Sequence, residues 1–261
     1  MTHDSSKYRY ISLALATFFL LGGCSKREKI TTFQQLENKE FAVPTGTAAD
    51  KLILSKFPNA KFKYFNSVLD AALAVKAGKA DAAGYDEPIL KNIAAKNSGL
   101  QVMSEMITKD DYGFAVQLDK QELKNTIDTV MSELKANGAY DNMLLRWLPR
   151  SGAPEAMPSI QSSGRNGTLR IGTAAITEPF SFIDGSQKVV GLDIELSYHI
   201  AKKLDKNLEI VNMDFGALIP ALLSGKVDMI AACITITNER SKKVLFSKPY
   251  YTGGIAALVK E

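Results

Sequence analysis

The sequence predicts an α/β fold with mainly parallel sheets, arranged as two lobes that face one cleft. Helix-like and strand-like segments alternate along most of the chain, the pattern of helices packed on sheets. One helix-end motif occurs twice, as Ala74-Val75-Lys76-Ala77-Gly78-Lys79-Ala80-Asp81 and as Ala221-Leu222-Leu223-Ser224-Gly225-Lys226-Val227-Asp228. Each copy has Gly where a helix closes in the left-handed conformation, and each then enters a strand. Those strands lead to polar groups, Tyr85 and Asp86 in one copy and Thr235 and Arg240 in the other. Ligands of open α/β sheets bind beyond the carboxyl ends of the strands, so two such units would present polar groups to a shared cleft.

The second copy runs into the richest stretch of the chain. Met229 to Ala232 reads as a short buried strand, and Cys233 to Thr237 as its extended continuation, with Ile234 and Ile236 alternating with Thr235 and Thr237. Asn238-Glu239-Arg240 then opens a helical turn with Thr237 as its N-cap. Hydroxyls, helix N–H groups and a planar guanidinium suit a carboxylate. Taken alone, Arg240 reads rather as one more cation of the solvated run Arg240-Ser241-Lys242-Lys243, since a charge run is usually a solvated face.

Of 261 residues, 46% are apolar and 23% charged, enough for one large core or two smaller ones. The formal charge of +4 is dispersed and no basic stripe interleaves with aromatics, which argues against a nucleic-acid partner. Neither a metal nor an organic cofactor is expected. Lys7 and Arg9 precede an apolar run, Ile11 to Leu21, that is short for a membrane span and has the flanks of a secretory signal. It ends at Leu21-Gly22-Gly23-Cys24, which resembles a bacterial lipobox. Residues 1–23 are therefore expected to be removed and Cys24 to carry lipid. Residues 24–29 are a tether that reaches about 20 Å at most. Cys233 is then the remaining thiol, expected as a small buried hydrophobe with no disulfide.

In order, Ile30 to Leu36 reads as a brief helix and Glu40 to Val43 as a strand, followed by the turn Pro44-Thr45-Gly46-Thr47 and a helix from Ala48 to Ser55. That strand–turn–helix passage is a second anion site in outline, because Gly46 lets a ligand approach the backbone. Lys61–Phe65 is a strand, Val68–Ala77 a helix and Asp81–Gly84 a strand. A helix follows to about Lys96, with Asp86 either its N-cap or a ligand group. Strands at Gln101–Ser104 and Asp111–Val116 precede an amphipathic helix, Lys120–Ala136, and a shorter one, Tyr140–Trp147. Residues 151–166, rich in Ser, Gly and Pro, form a flexible linker. Order resumes with strand Leu169–Gly172, helix Asp193–Lys203, strand Leu208–Val211 and helix Gly216–Leu223. Pro249 to Gly254 is a kinked connector, and Ile255–Val259 a last apolar strand.

Residues 167–173 (Gly-Thr-Leu-Arg-Ile-Gly-Thr), Glu178-Pro179-Phe180, Gly191-Leu192-Asp193, Asp214-Phe215, Ile234 to Arg240 and Phe246 to Tyr251 together resemble the periplasmic type 2 solute-binding proteins for polar amino acids. Residues 30–148 are similar to the remainder of that family, through Pro44 to Thr47, Ala80 to Asp86, Tyr112 to Val116 and the helices up to Trp147. The resemblance implies a two-lobed periplasmic-binding-protein-like fold of type II. Residues 30–111, completed by strand 255–261, form lobe 2; residues 112–150 and 167–254 form lobe 1. The family's usual order is reversed, so the resemblance further implies a circular permutation, with the linker joining its customary ends. Natural termini are exposed and often adjacent, which makes this tolerable. A permuted monomer is favoured over a dimer that swaps half-domains.

The resemblance also implies roles. Arg240 pairs with a ligand α-carboxylate, helped by Thr235 and the backbone around Cys233, while Asp86 takes the α-ammonium group. The turn Thr45-Gly46-Thr47-Ala48 adds N–H donors, Phe215 walls the side-chain pocket and Tyr85 touches the side chain. Thr177 and Pro44 stand where the family often has an aromatic and a basic or polar residue, which blurs the side-chain specificity. The implied function is a lipid-anchored component of an ABC importer that captures an L-amino acid and delivers it to an inner-membrane permease. An envelope dehydratase of the cyclohexadienyl or arogenate type uses the same fold and needs a positioned acid, for which Glu178 is the nearest candidate. A ligand-sensing module is the third possibility.

Overall fold

The computed structural model describes residues 29–148 and 155–261. The expected signal segment, the lipidated Cys24 and most of the tether lie outside the described residues. After a 3₁₀ turn at Phe33–Leu36, the chain forms β1 (Glu40–Pro44), α1 (Ala49–Lys56), β2 (Lys61–Phe65), α2 (Val68–Lys76), β3 (Ala82–Asp86), α3 (Glu87–Lys96) and β4 (Leu100–Val102). It continues with β5 (Asp110–Tyr112), β6 (Ala115–Val116), α4 (Gln121–Ala136), α5 (Ala139–Trp147) and β7 (Thr168–Thr173). Three short strands, β8 (Ile176–Thr177), β9 (Ser181–Ile183) and β10 (Val189–Val190), form an antiparallel sheet of their own. Then come α6 (Leu192–Leu204), β11 (Asn207–Asn212), a 3₁₀ turn at Phe215–Ala217, α7 (Leu218–Leu223), β12 (Met229–Ile230), α8 (Asn238–Ser241), β13 (Leu245–Phe246), β14 (Tyr251–Gly253) and β15 (Ile255–Lys260).

Among the described residues the strands build two five-stranded sheets, ordered β2-β1-β3-β15-β4 in one lobe and β11-β7-β12-β6-β13 in the other. The sheets are mixed rather than mainly parallel. β1, β2 and β3 run parallel, as do β7, β11 and β12, but β15 is antiparallel to β3 and β4, and β6 to β12 and β13. The antiparallel strands are those that reach each sheet directly from the interlobe connection, without a crossover helix, so nothing reverses their direction. The expected single strand 111–116 is two strands, because residues on either side of Gly113 pair in different sheets: β5 with β14 and β6 with β12 and β13. The expected connector 249–254 is likewise half strand. β5 and β14 form the antiparallel ribbon through which the chain passes from one lobe to the other.

The repeated motif carries repeated geometry. Gly78 and Gly225 adopt φ of +72° and +73°. The amide of Lys79 donates to the Ala74 carbonyl at 2.8 Å, and that of Lys226 to Ala221 at 2.9 Å, each closing its helix as a Schellman motif does. Asp81 accepts from the Glu40 amide and Asp228 from the Arg170 amide, both at 2.9 Å, so each aspartate ties its strand to the neighbouring parallel strand, β1 or β7. Asp86 and Cys233 follow at the same spacing, five residues after these aspartates, the first as the last residue of β3 and the second three residues past the end of β12.

The described part of the expected linker, residues 155–166, has no helix or strand but is anchored. Met157 packs against the core, the Asn166 amide donates to Asp205 at 2.9 Å and Arg165 pairs with the Asp205 carboxylate at 2.7 Å. In lobe 1 the buried Glu195 accepts from the Arg146 guanidinium at 2.7 Å and the Trp147 indole at 2.6 Å, which fixes α5 on α6.

Candidate functional site

Where the carboxyl ends of the two parallel strand sets meet, a cleft runs between the lobes. One part, about 1150 Å³ and open to solvent, is lined from lobe 2 by Thr45, Thr47, Asn66 and Tyr85 and from lobe 1 by Ile176, Thr177, Asp214 and Phe215, among others. A second part lies beside it, with Gly46, Thr47 and Ala48 on one wall and Thr237 to Arg240 on the other. Between the two, Gly46 and Gly216 approach so closely that a Cβ on Gly46 would stand 2.8 Å from the Gly216 Cα. Lys51 pairs with Glu239 across the cleft, and Lys96 with Glu178 at 2.6 Å. The lobes are thus drawn together.

Arg240 is held from three sides. Thr237 caps α8 through its hydroxyl, which accepts from the Arg240 amide at 3.2 Å. The guanidinium donates to the Thr235 carbonyl at 2.9 Å and lies 5.4 Å from the centroid of the Phe215 ring, a cation–π contact. Burial pulls its pKa down from the ordinary value, and the Tyr85 and Asp86 groups act in the opposite sense. Arg240 is therefore no member of the solvated run that follows it.

Asp86 occupies the N-cap position of α3 but makes no capping bond. Its carboxylate accepts instead from the Tyr112 hydroxyl, in a site where Asp86 is 4% exposed. Burial pushes the Asp86 pKa up to about 7; the Tyr112 hydrogen bond and the Arg240 charge oppose that rise, while Asp110 adds to it. The guanidinium and the carboxylate on opposite lobes thus feel each other's charge. Tyr85 is buried beside them and forms part of the cleft wall.

Two sequence expectations require correction. The backbone at Cys233 does not continue the strand: β12 stops at Ile230 and Cys233 has φ of +41°. Its amide donates to Asp193 Oδ2 at 2.6 Å, so it is not open to a ligand. Asp193, wholly buried, also accepts from the Tyr250 hydroxyl at 2.6 Å, and burial raises its pKa to about 7. The pull of this buried acceptor turns the chain where the apolar–polar alternation implies extension. Likewise the Thr45 amide donates to the Phe65 carbonyl at 2.8 Å, which leaves residues 46–48 as the part of that turn that lines the same space as Arg240. Cys233 is buried and free, as its composition implies.

Thr235 is buried beneath the cleft rather than on its wall, and its carbonyl rather than its hydroxyl meets Arg240. Tyr112, Asp193, Asn66 and Asp214 are groups that sequence reasoning did not single out. Asp193 lies in the quoted Gly191-Leu192-Asp193 segment, where an acidic residue beside apolar ones was the available signal. Glu178, the candidate catalytic acid, is engaged by Lys96.

Comparison with known proteins bears on residues 169–261, which match the model of bacterial extracellular solute-binding proteins, family 3. The chain is 48% identical over 84 residues to a probable histidine-binding protein of Campylobacter jejuni, covering 32% of this chain and 32% of that one. It is 44% identical over 84 residues to the arginine-binding extracellular protein ArtP of Bacillus subtilis, again covering 32% of each. Among solved structures, the arginine-bound form of domain 1 from TmArgBP shares 41% identity, covering 37% of this chain and 82% of that chain, with a TM-score of 0.33. The chain spans about a third of the length of the curated relatives it matches.

Proposed function

We propose that this chain, whose residues 169–261 match the bacterial extracellular solute-binding proteins of family 3, is the amino-acid-capturing component of an ABC importer, lipid-anchored through Cys24. An L-amino acid lies across the cleft, its α-carboxylate on Arg240 and the amides of residues 46–48, its α-ammonium group on Asp86. The observation that carries this reading is Arg240 on the wall of the interlobe cleft and the buried Asp86 behind it, next to the cleft-lining Tyr85 and near enough for each charge to act on the other. A ligand with opposite charges at its two ends satisfies both only when the lobes are together, so it stabilises the closed state.

The side chain of the ligand extends into the larger part of the cleft, between Phe215 and Tyr85. Asp214 is the charged residue on that wall, among Thr45, Asn66 and Thr177. Together with the arginine and histidine named for the relatives, this favours a cationic side chain. The segments before and after residue 150 interlock in both sheets, which supports the reading of a circularly permuted single domain. The Lys96 pairing of Glu178 weighs against the dehydratase alternative, since a catalytic acid must be free to exchange its proton.

Calorimetric titration against the twenty L-amino acids tests the proposal. Binding without turnover is expected, strongest for arginine, lysine or histidine, with Arg240→Ala weakening it by about 3–5 kcal/mol because a buried carboxylate is left unpaired. Turnover of a cyclohexadienyl acid, or failure of every amino acid to bind, refutes it.

A further inference from the structure

The residue that joins the two halves of the clamp is Tyr112, on the interlobe strand β5. Its backbone pairs with Thr235, the residue whose carbonyl accepts from Arg240 at 2.9 Å. On the neighbouring residues, the Ile236 amide donates to Asp111 at 2.8 Å and the Gly113 amide to Ile234 at 3.3 Å. Its side chain points to the other lobe and donates its hydroxyl to Asp86. A chain of contacts therefore runs from Arg240 through Thr235 and Tyr112 to Asp86.

The ring is fixed. Tyr112 is fully buried, stacked 5.6 Å from Tyr251 of β14 and edge-on at 5.7 Å to Phe180 of lobe 1. Gly253 makes room for the hydroxyl: a Cβ there would stand 2.6 Å from it. We propose that Tyr112 is the positioning residue of the clamp, its hydroxyl holding the Asp86 carboxylate in the orientation and charge state that a ligand ammonium requires. The assignment rests on the reading of Asp86 as the ammonium partner.

The physical logic is that a carboxylate in a desolvated site protonates unless something stabilises its charge. The groups facing Asp86 are the Tyr112 hydroxyl and Asp110 from β5, Arg240 from α8, Cys233 at the strand end, Tyr251 from β14, and Tyr85 beside it. Asp110 works against the charge and Arg240 for it; Tyr112 supplies the hydroxyl hydrogen bond. Because that donor sits on the interlobe ribbon, the ammonium site is completed by the hinge as well as by lobe 2. A change in the ribbon's geometry then alters the charge state of Asp86.

The test is the pH titration of the Asp86 side-chain carboxyl ¹³C resonance in the ligand-free protein, for the wild type, Tyr112→Phe and Tyr251→Phe. Tyr112→Phe keeps the ring and removes the donor, and should raise the Asp86 midpoint by about one pH unit. Tyr251→Phe, which disturbs the same ring stack without removing the Asp86 donor, should leave it in place. Site-specific 3-fluorotyrosine at position 112, a stronger donor of nearly the same shape, should move the midpoint down and covers the case in which Tyr112→Phe fails to fold. An unmoved midpoint in the Tyr112 variants, or an equal shift in Tyr251→Phe, overturns the assignment. In the binding assay, Tyr112→Phe should lose affinity most below neutral pH, whereas a loss equal at every pH marks a merely structural role. If Asp86→Asn leaves amino-acid affinity intact, the ligand reading of Asp86 fails, and the carboxyl titration still decides what Tyr112 does.

Discussion

Asp86 and Asp193 are carboxylates at similar depth, each bonded by a hydroxyl from a tyrosine beside the interlobe ribbon. Their uses differ. Asp193 accepts from two protein donors and shapes the turn at Cys233, whereas Asp86 accepts from its tyrosine and feels the charge of Arg240. Burial raises both pKa values from 3.8 to about 7. Between those pH values the folded protein holds protons that the unfolded chain has released, so these groups favour folding most near pH 4 and progressively less as pH rises to 7. Denaturant unfolding should therefore show stability contributed by these groups declining from about pH 4 to pH 7, and Asp193→Asn should flatten that decline. Ligand binding has the opposite dependence. A ligand ammonium group favours ionised Asp86, so binding near pH 6.5 should expel a proton and weaken as pH falls, read by calorimetry in buffers of different ionisation heat. Arg240 and Asp86 were candidates from the sequence because one follows the Thr237 helix cap and the other closes a recognisable strand. Tyr112 was not, since its hydrogen bond to Asp86 joins residues 26 apart that only the fold brings together.

At the scale of elements, local chemistry read well where the chain itself sets the geometry. The two Gly-closed helices, the Thr237 cap and the strand–turn–helix at Pro44 to Ala49 all follow from short-range rules. Reading failed where a distant partner decides: Asp193 turns Cys233 out of the strand, and sheet pairing splits residues 110–116 between hinge and lobe. The turn at Gly46 has both kinds of constraint, with φ of +78° and Gly216 opposite it across the cleft. Gly46→Ala should lower stability by roughly 1 kcal/mol through the backbone. It should lower affinity further, because the added Cβ obstructs closure. Thermal melts and titration on the same sample separate the two effects; unchanged affinity would mean that closure at Gly46–Gly216 is not part of binding.

At the scale of the molecule, each sheet needs strands from both lobes' chain segments: β15 completes the sheet of β1 to β4, and β6 sits between β12 and β13. Local pattern gave helix–strand alternation and a twofold motif; that strand 255–261 completes the sheet of residues 30–111 was implied by the resemblance alone, because such non-local pairing leaves no local signal. The interlobe ion pairs Lys51–Glu239 and Lys96–Glu178 are largely solvent-exposed on the lysine side. Such pairs contribute little to stability and weaken with salt. The proposed permuted domain is expected to be monomeric by light scattering and to bind one ligand per chain, whereas a swapped dimer would double the mass. The central claim is that Arg240 and Asp86 hold opposite ends of one zwitterion. A crystal structure with the bound amino acid tests it most directly: the account predicts the α-carboxylate within hydrogen-bond distance of the Arg240 guanidinium and the α-ammonium group on Asp86, and a ligand whose charged ends lie on other residues contradicts it.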